Sequence, residues 1–379
     1  MNRATRGCGC AVAVLVVVIG ASAFVGYRYV LPWLRRQPPP ASGGELQVKV
    51  LDVGPMNGDA ILIIVPNGKT VLIDAGDSPK AKNVVDALKK SNVQQLDYFI
   101  ATHPHPDHLG GAAEVFKAFK VLNVIDNGQT PVIPPSLAAQ QKKPAPKQQG
   151  LVKQTSKAVR GVATITKFYD DYKEAVSKSG AQYQQAQAGT KLDLGSGAFL
   201  TILAPTEPLI TREQMKTGGN EPNANSIVAR LDYGSFSMLL PADAEEQTEH
   251  RLLTKEVNLQ ANVLKISHHG SKYASTDDFL KRVKPTIAII SCGDWNRYGH
   301  PAQPVLDRLR AANIKLYRTD LHGEVTITTR GRENDVTVKT SKEPTTDAWT
   351  GRLAQKDDST RSGFIAYGDF GPPPKPRKQ

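Results

Sequence analysis

Short apolar runs, some alternating and some continuous, recur from residue 45 onward and predict a rhythm of strands and helices. LQVKVLDV (46–53), AILIIV (60–65) and TVLIDAG (70–76) read as three consecutive strands, the latter two joined across Pro66-Asn67-Gly68. Residues 79–91 open with Pro79 and place Val84, Val85 and Leu88 at helical spacing. A strand at 96–102, a helix at 111–119 and a strand at 121–125 follow. After a gap come a helix at 168–177, strands near 191–194 and 198–203, and a hairpin of 226–233 and 235–241 turned at Gly234. Helices at 244–254, 275–283 and 302–311 then alternate with strands at 262–266 and 286–291, and strands at 314–319 and 324–329 close the pattern. Strand-rich stretches at both ends with helices between them predict two sheets faced by helices, an α/β sandwich.

Two segments break the rhythm. Residues 129–167 carry Pro-Pro, Gln-Gln, Lys-Lys and Lys-Pro-Ala-Pro, the composition of an insertion outside the core. At the N-terminus, the apolar run 11–19 follows Arg3 and Arg6. It reads either as a secretory signal cleaved near Ala21-Ser22-Ala23, or as the start of a span running to about residue 31 with Tyr27, Tyr29 and Trp33 at the interface. The favoured expectation is a retained single-pass anchor through 11–31 with the body outside the cytoplasm. A cleaved signal would make the protein secreted. The expected organisation is a signal or anchor at 1–36, a Pro/Gly linker at 37–44, a catalytic-type domain at 45–341 and a tail at 342–379.

Composition narrows the class. With 40% hydrophobic and 22% charged residues, the 379-residue chain is neither disordered nor low-complexity, and three cysteines exclude a disulfide scaffold. The body's lone Cys292 reads as a small buried residue. The net charge of +12 is unevenly placed: +5 lies in residues 1–40, +7 in 129–167 and +3 in the last nine residues, leaving −3 for the remainder. Basic arms around a slightly acidic body attract polyanions, DNA among them, or simply solubilise the chain.

One motif dominates. His103-Pro104-His105-Pro106-Asp107-His108 follows a predicted strand and precedes Leu109-Gly110-Gly111. Three imidazoles and a carboxylate within six residues suit a metal pair. His103 and His105 can face one cation while Asp107 and His108 turn to a second, with zinc, manganese or iron as candidates. The prolines restrict the loop and so lower the entropy cost of presenting the ligands.

HxHxDH after a hydrophobic strand resembles the metallo-β-lactamase superfamily of metal-dependent hydrolases. LDVGPMNGDAILI, LIDAG, NSIVARLDYGSFSMLLPADAE, VLKISHHGSKYAS, ISCGDWNRYGHP and YRTDLHGEVTI narrow the likeness to the metallohydrolase domain of ComEC-type DNA-uptake proteins, over about residues 46–330. In that family the domain is typically fused to a channel-forming membrane portion, whereas this sequence leaves room for one helix. The resemblance implies an αββα sandwich and two divalent ions, zinc or manganese. It implies His103 and His105 as ligands of the first ion, Asp107 and His108 of the second, Asp243 as the bridging carboxylate, and one of His268 and His269 as the late histidine. Asp74, ending a strand beside Gly76, is expected to order the metal loop.

The sequence departs from the family pattern. Its first loop is stretched to Asp52-Val53-Gly54-Pro55-Met56-Asn57-Gly58-Asp59, Pro241-Ala242 replaces threonine-glycine, and no histidine lies between His108 and His250. Asn223 and Asn225 are candidates for a substitute ligand or substrate contact, unless 221–225 is a polar turn. Asp294, Asn296, Tyr298 and His300 lie on a Gly-rich turn, with His300 a candidate proton donor to the leaving group. The expected chemistry is a catalytic set of Asp107, Asp243 and His300 cutting phosphodiesters in DNA. The alternatives are hydrolysis of a small ester, lactone or thioester, or a non-catalytic envelope protein that captures a polyanion.

Overall fold

The computed structural model describes residues 44–131, 167–215, 221–294, 298–332 and 334–353, all within one unit, Ala41–Gln379. The apolar run 11–31 and most of the 129–167 insertion lie outside the described residues, among which no helix is long and apolar enough to cross a membrane.

Strands β1 (Leu46–Val50), β2 (Ile61–Ile64), β3 (Thr70–Ile73), β4 (Gln95–Ala101), β5 (Lys120–Asp126) and β6 (Gln182–Gln185) build most of one sheet. The second sheet takes β7 (Lys191–Gly195), β8 (Ala198–Ala204), β9 (Val228–Tyr233), β10 (Phe236–Leu240), β11 (Val263–Lys265), β12 (Ile287–Ile290) and β13 (Lys315–Arg318). The chain then returns to the first sheet with β14 (Val325–Thr329) and β15 (Thr337–Thr340), giving the orders β15-β14-β1-β2-β3-β4-β5-β6 and β13-β12-β11-β10-β9-β8-β7. Each sheet is antiparallel in one half and parallel in the other, changing over at β3 and at β10.

Period-two burial decides the layering. In β1, Leu46, Val48 and Val50 are buried and join Leu200, Ile202, Leu231 and Met238 from the opposite sheet in one inter-sheet core. Two further cores lie outside the sheets. Leu62, Leu72 and Phe99 pack with Val84, Leu88 and Val115, which helices Ala81–Lys90 and Ala112–Ala118 bring. Leu239, Leu264 and Ile290 pack with Leu252, Phe279, Leu280 and Leu306 from helices Glu246–Leu253, Asp277–Val283 and Gln303–Ala311. The result is the αββα sandwich expected from the sequence.

The strand pattern of the sequence is recovered within a few residues at each end, with two additions. β6 is fully exposed and β15 alternates between exposed and half-buried, so neither carries the apolar run that marks a strand. Residues 347–352, expected in the tail, pack on the body: Arg318 donates to the carbonyls of Ala348 and Thr350, and Arg352 pairs with Asp320.

The carboxyl ends of β3, β4, β10, β11 and β12 all deliver loops to one edge of the sandwich, where open α/β sheets place their sites. The loop after β11 is held by buried Glu249, whose two oxygens accept from the backbone N–H groups of Ser275 (2.5 Å) and Thr276 (2.9 Å). Burial pushes this carboxyl up to about 7, against the pull of those donors. Its folded pKa therefore exceeds its unfolded one, so the stability it contributes is full at low pH and falls as pH rises from about 4.5 through 7. Glu249→Gln mimics the protonated form. The wild-type minus variant unfolding free energy, read from urea titrations at pH 4.5 and 7.5, should fall by about 3 kcal/mol at most. A flat difference would contradict the assignment.

Candidate metal centre

His103 to His108 occupy the turn after β4, and Pro106 opens a short helix, Pro106–Leu109, that presents Asp107 and His108. This turn is woven into the neighbouring loops. Asp59 N–H donates to Asp107 O, Ala75 N–H to His108 O and Gly111 N–H to Gly76 O. Gly110 and Gly111 are required by the approach: a Cβ on either would lie within 2.4 Å of neighbouring backbone.

Asp74, at φ 58°, is fully buried and accepts from Thr102 N–H (2.8 Å), Thr102 Oγ1 (2.7 Å) and His108 Nδ1 (2.7 Å). These bonds tie the start of the histidine turn to the end of β3. Thr102 Oγ1 in turn lies 3.0 Å from His103 Nδ1. Because that hydroxyl already donates to Asp74, it accepts from His103. The same pattern recurs across the site: His269 Nδ1 faces Ser291 O at 2.9 Å and His268 Nδ1 faces Glu245 Oε1 at 3.0 Å. Each network assigns a proton to Nδ1 and turns the Nε2 of His103, His108, His268 and His269 inward.

Those Nε2 atoms converge on Asp243, in the turn after β10. Asp243 Oδ1 is 3.2 Å from His108 and 3.6 Å from His269, while Oδ2 is 3.7 Å from His103 and 3.6 Å from His268. Asp107 Oδ2 adds to the first half, 3.4 Å from His269, and His105 Nδ1 to the second, 2.9 Å from His103 Nε2. His108 Nε2, His269 Nε2 and Asp243 Oδ1 are buried and make no hydrogen bond among the described residues. Buried polar atoms rarely go unpaired. Here, imidazole nitrogens face carboxylate oxygens, with ligand atoms of His103, His108 and Asp243, and of Asp107, His108 and His269, grouped within 4.8 Å. Such a donor set fits divalent cations.

Electrostatics reflect the crowding. Burial and neighbouring His108 hold His103 neutral well below the usual imidazole range, and burial takes His105 down to about 4. Against burial, Asp243 and Glu245 raise His268 to about 9, and Asp243 and Asp74 raise His108. Against burial, His269 and His108 hold Asp107 at about 2. His300 is buried beside His268, ring centroids 5.4 Å apart, and burial with His268 and His269 lowers its pKa well below the usual range. A ring held neutral stores no proton at neutral pH and can offer a leaving group only its own N–H, a narrower role than the donor expected from sequence.

The two asparagines part company. Asn223 is buried with Nδ2 3.4 Å from His268 Nε2, at the edge of the site. The Asn225 amide is committed to backbone, accepting from Ile210 N–H and donating to the carbonyls of Ile210 and Glu221. Asn296 lies outside the described residues. Cys292 is buried, and burial with Asp320 pushes its thiol up, as suits a packing residue.

Sequence reasoning missed Asp59, Lys265 and Glu245. Lys265 Nζ, fully buried, pairs with Asp59 Oδ2 at 2.9 Å, and Asp59 Oδ1 lies 3.6 Å from His269 Nδ1. A lysine inside the apolar run VLKIS was the available signal, since an ammonium in a buried strand demands a carboxylate. Strain marks the same loops: Asp74, Ala242, His268 and His269 all take positive φ, 47–58°. Non-glycine residues there cost of order 1–3 kcal/mol each and persist where surrounding structure overdetermines them.

Residues 53–182 match the Metallo-beta-lactamase superfamily model. The chain is 27% identical over 303 residues to ComE operon protein 3 of Bacillus subtilis, covering 76% of this chain and 33% of that protein. It is 27% identical over 285 residues to Recombination protein 2 of Haemophilus influenzae (74% and 28%), and 28% identical over 308 residues to Competence protein ComA of Neisseria gonorrhoeae (81% and 34%). It thus spans about a third of the length of these curated relatives. The histidine loop, the sandwich and these likenesses agree: residues 53–182 match the Metallo-beta-lactamase superfamily model, and over about three quarters of its length the chain is similar to proteins that include Competence protein ComA.

Proposed function

We propose that the chain is a two-metal phosphodiesterase that acts on DNA outside the cytoplasm. The observation that carries this reading is the division of Asp243. One carboxylate oxygen faces His108 and His269 beside Asp107, and the other faces His103 and His268 beside His105. A carboxylate flanked on both oxygens by inward-facing imidazoles supports Asp243 as a residue that would hold both ions. His268 then supplies the half that holds His103 and His105 with the histidine that the interval 108–250 lacks, and Asn223 lines its edge.

Divalent ions bound to this set, zinc or manganese, supply Lewis acidity at phosphorus and acidify water. Asp107, ionised at neutral pH and the most exposed of the site's acids, orients the attacking water through its carboxylate. Water adds at phosphorus and one P–O bond breaks: the water oxygen stays on a phosphate monoester, and one of its protons ends on the departing oxygen, which leaves as a hydroxyl. His300 offers its N–H to the departing oxygen. Glu245, Asp74 and Ser291 O keep the imidazole rings from turning. The competence-protein relatives and the basic arms support DNA as the polymer, and the run 11–31 supports an anchor that leaves the body outside the cytoplasm.

Two outcomes test this. The wild-type chain, dialysed against manganese or zinc, should hold about two ions, and His103→Ala/His105→Ala or His268→Ala about one, by elemental analysis. All these variants should lose at least 100-fold in kcat/KM on plasmid and single-stranded DNA. Full metal content with wild-type activity in either variant would defeat the reading. Turnover of a lactone or thioester with no phosphodiester cleavage would keep the hydrolase and discard DNA. Stoichiometric DNA binding without metal or turnover would favour polyanion capture.

Replacing 132–166 with a Gly-Ser linker removes Lys142, Lys143, Lys147, Lys153, Lys157 and Arg160. DNA affinity should fall and its log–log salt slope flatten by up to roughly 0.7–0.9 per lost phosphate contact. Turnover of bis(p-nitrophenyl) phosphate should stay within about twofold. An unchanged slope would exclude the insertion from DNA contact.

A further inference from the structure

Aromatic residues make up only 6% of the chain, which argues against a base-binding platform, yet their placement argues for one. Among the described residues the exposed large hydrophobics are Tyr183, Tyr273, Tyr298 and Leu353. Tyr183 lies on the edge strand β6, where it donates to Asp126 at 2.7 Å. Tyr273 and Tyr298 instead stand on the two loops that carry the late histidines.

Tyr298 lies nearly parallel to His300, ring centroids 5.7 Å apart and planes 20° apart, with 44% of the residue in solvent. His300 abuts His268, whose Nε2 is 3.6 Å from Asp243. An aromatic ladder therefore runs from Asp243 outward to the surface. Tyr273 follows the same histidine pair by four residues, 37% exposed, and its carbonyl is fixed by Glu246 N–H, next to the Glu245 that holds His268. Lys272 places its ammonium 4.9 Å from the Tyr273 ring. The two loops are locked together by Ala302 N–H donating to Gly270 O at 2.8 Å and by Gly270, at φ 84°, where a Cβ would meet Pro301 at 2.7 Å.

We infer that Lys272, Tyr273 and Tyr298 form a stacking rim for unpaired bases, so that the strand presented to the metal centre is single-stranded. The inference rests on the phosphodiesterase reading above and names its substrate class. A half-exposed tyrosine offers a flat face that any base can cover, and a neighbouring ammonium takes the phosphate. Paired bases are stacked on each other and present no face to a ring, so a duplex cannot use the rim.

The test is equilibrium binding of the full-length, metal-loaded chain to a fluorescent single-stranded oligonucleotide. Its competitors are the duplex and a base-free strand of the same number of phosphates. Wild type should bind the base-bearing strand about ten-fold more tightly than the base-free one, within the range that stacking on an aromatic ring provides. Tyr273→Ala and Tyr298→Ala should bring that ratio towards one, and Tyr273→Phe and Tyr298→Phe should keep it, which separates loss of a ring from loss of fold. A ratio near one in wild type, or an unchanged ratio in both alanine variants, overturns the rim. Cleavage is scored separately on the same strands: a preserved binding ratio with neither strand cut would remove the phosphodiesterase reading and leave the rim standing.

Discussion

The rest of the site follows from one electrostatic constraint: Asp243 is buried in a ring of imidazoles and must remain an anion. Burial alone would protonate it, and His108 and His268 overcome that and hold it well below the usual carboxylate range. Those imidazoles can face it only because each has its other nitrogen anchored, His108 on Asp74 and His268 on Glu245. Removing an anchor frees a ring to rotate and leaves a buried carboxylate short of its partners, a loss of several kcal/mol rather than of one weak contact.

A second charge balance lies directly behind the first. Asp59 Oδ1 sits 3.6 Å from His269 Nδ1, beyond the reach of a hydrogen bond, and Lys265 holds its other oxygen at 2.9 Å, so the His269 proton goes to Ser291 O. The ammonium also donates to Ile266 O. Asp59 and Lys265 come from opposite sheets, as do Ser291 and Gly58, whose hydroxyl and carbonyl meet at 2.5 Å. The two halves of the sandwich are thus tied at the edge where the site lies, and the stretched first loop is what brings Asp59 there.

How much of this was legible in the sequence depends on range. The strands with clear period-two or continuous apolar runs were readable because burial leaves that pattern, whereas β6 and β15 are exposed edges with nothing to mark them. The HPHPDH turn was readable because its ligands are neighbours in sequence. Asp243 and the late histidines emerged only from the family likeness, since an acid beginning a turn and a polar pair are common in unrelated loops. Lys265 inside an apolar run signals that some carboxylate must meet it, but that Asp59 is the partner, and that Glu245 holds His268, was not legible, because each pair spans more than 20 residues. Asn225 shows the converse error: its residue type suits a ligand, but its amide is spent on Ile210 and Glu221.

The C-terminal stretch shows why charge alone misplaced one boundary. Residues 342–353 are polar and carry no strand pattern, so they read as tail, yet they clasp the loops beside the site. Lys342 pairs with Asp52 on the first loop, Arg352 N–H donates to Pro301 O, and Gly351 N–H donates to Gln303 Oε1. The buried Arg318 guanidinium makes this possible: it is pinned by Asp320 and spends its remaining donors on the carbonyls of Ala348 and Thr350. Asp320 also contacts the Cys292 thiol, on the loop whose Ser291 carbonyl fixes His269. A strap that is hydrophilic in sequence is therefore structural in place, because its backbone carbonyls, rather than its side chains, satisfy a buried cation. The orientation of one histidine of the centre is thus supported through contacts that lead back to residues 348–350.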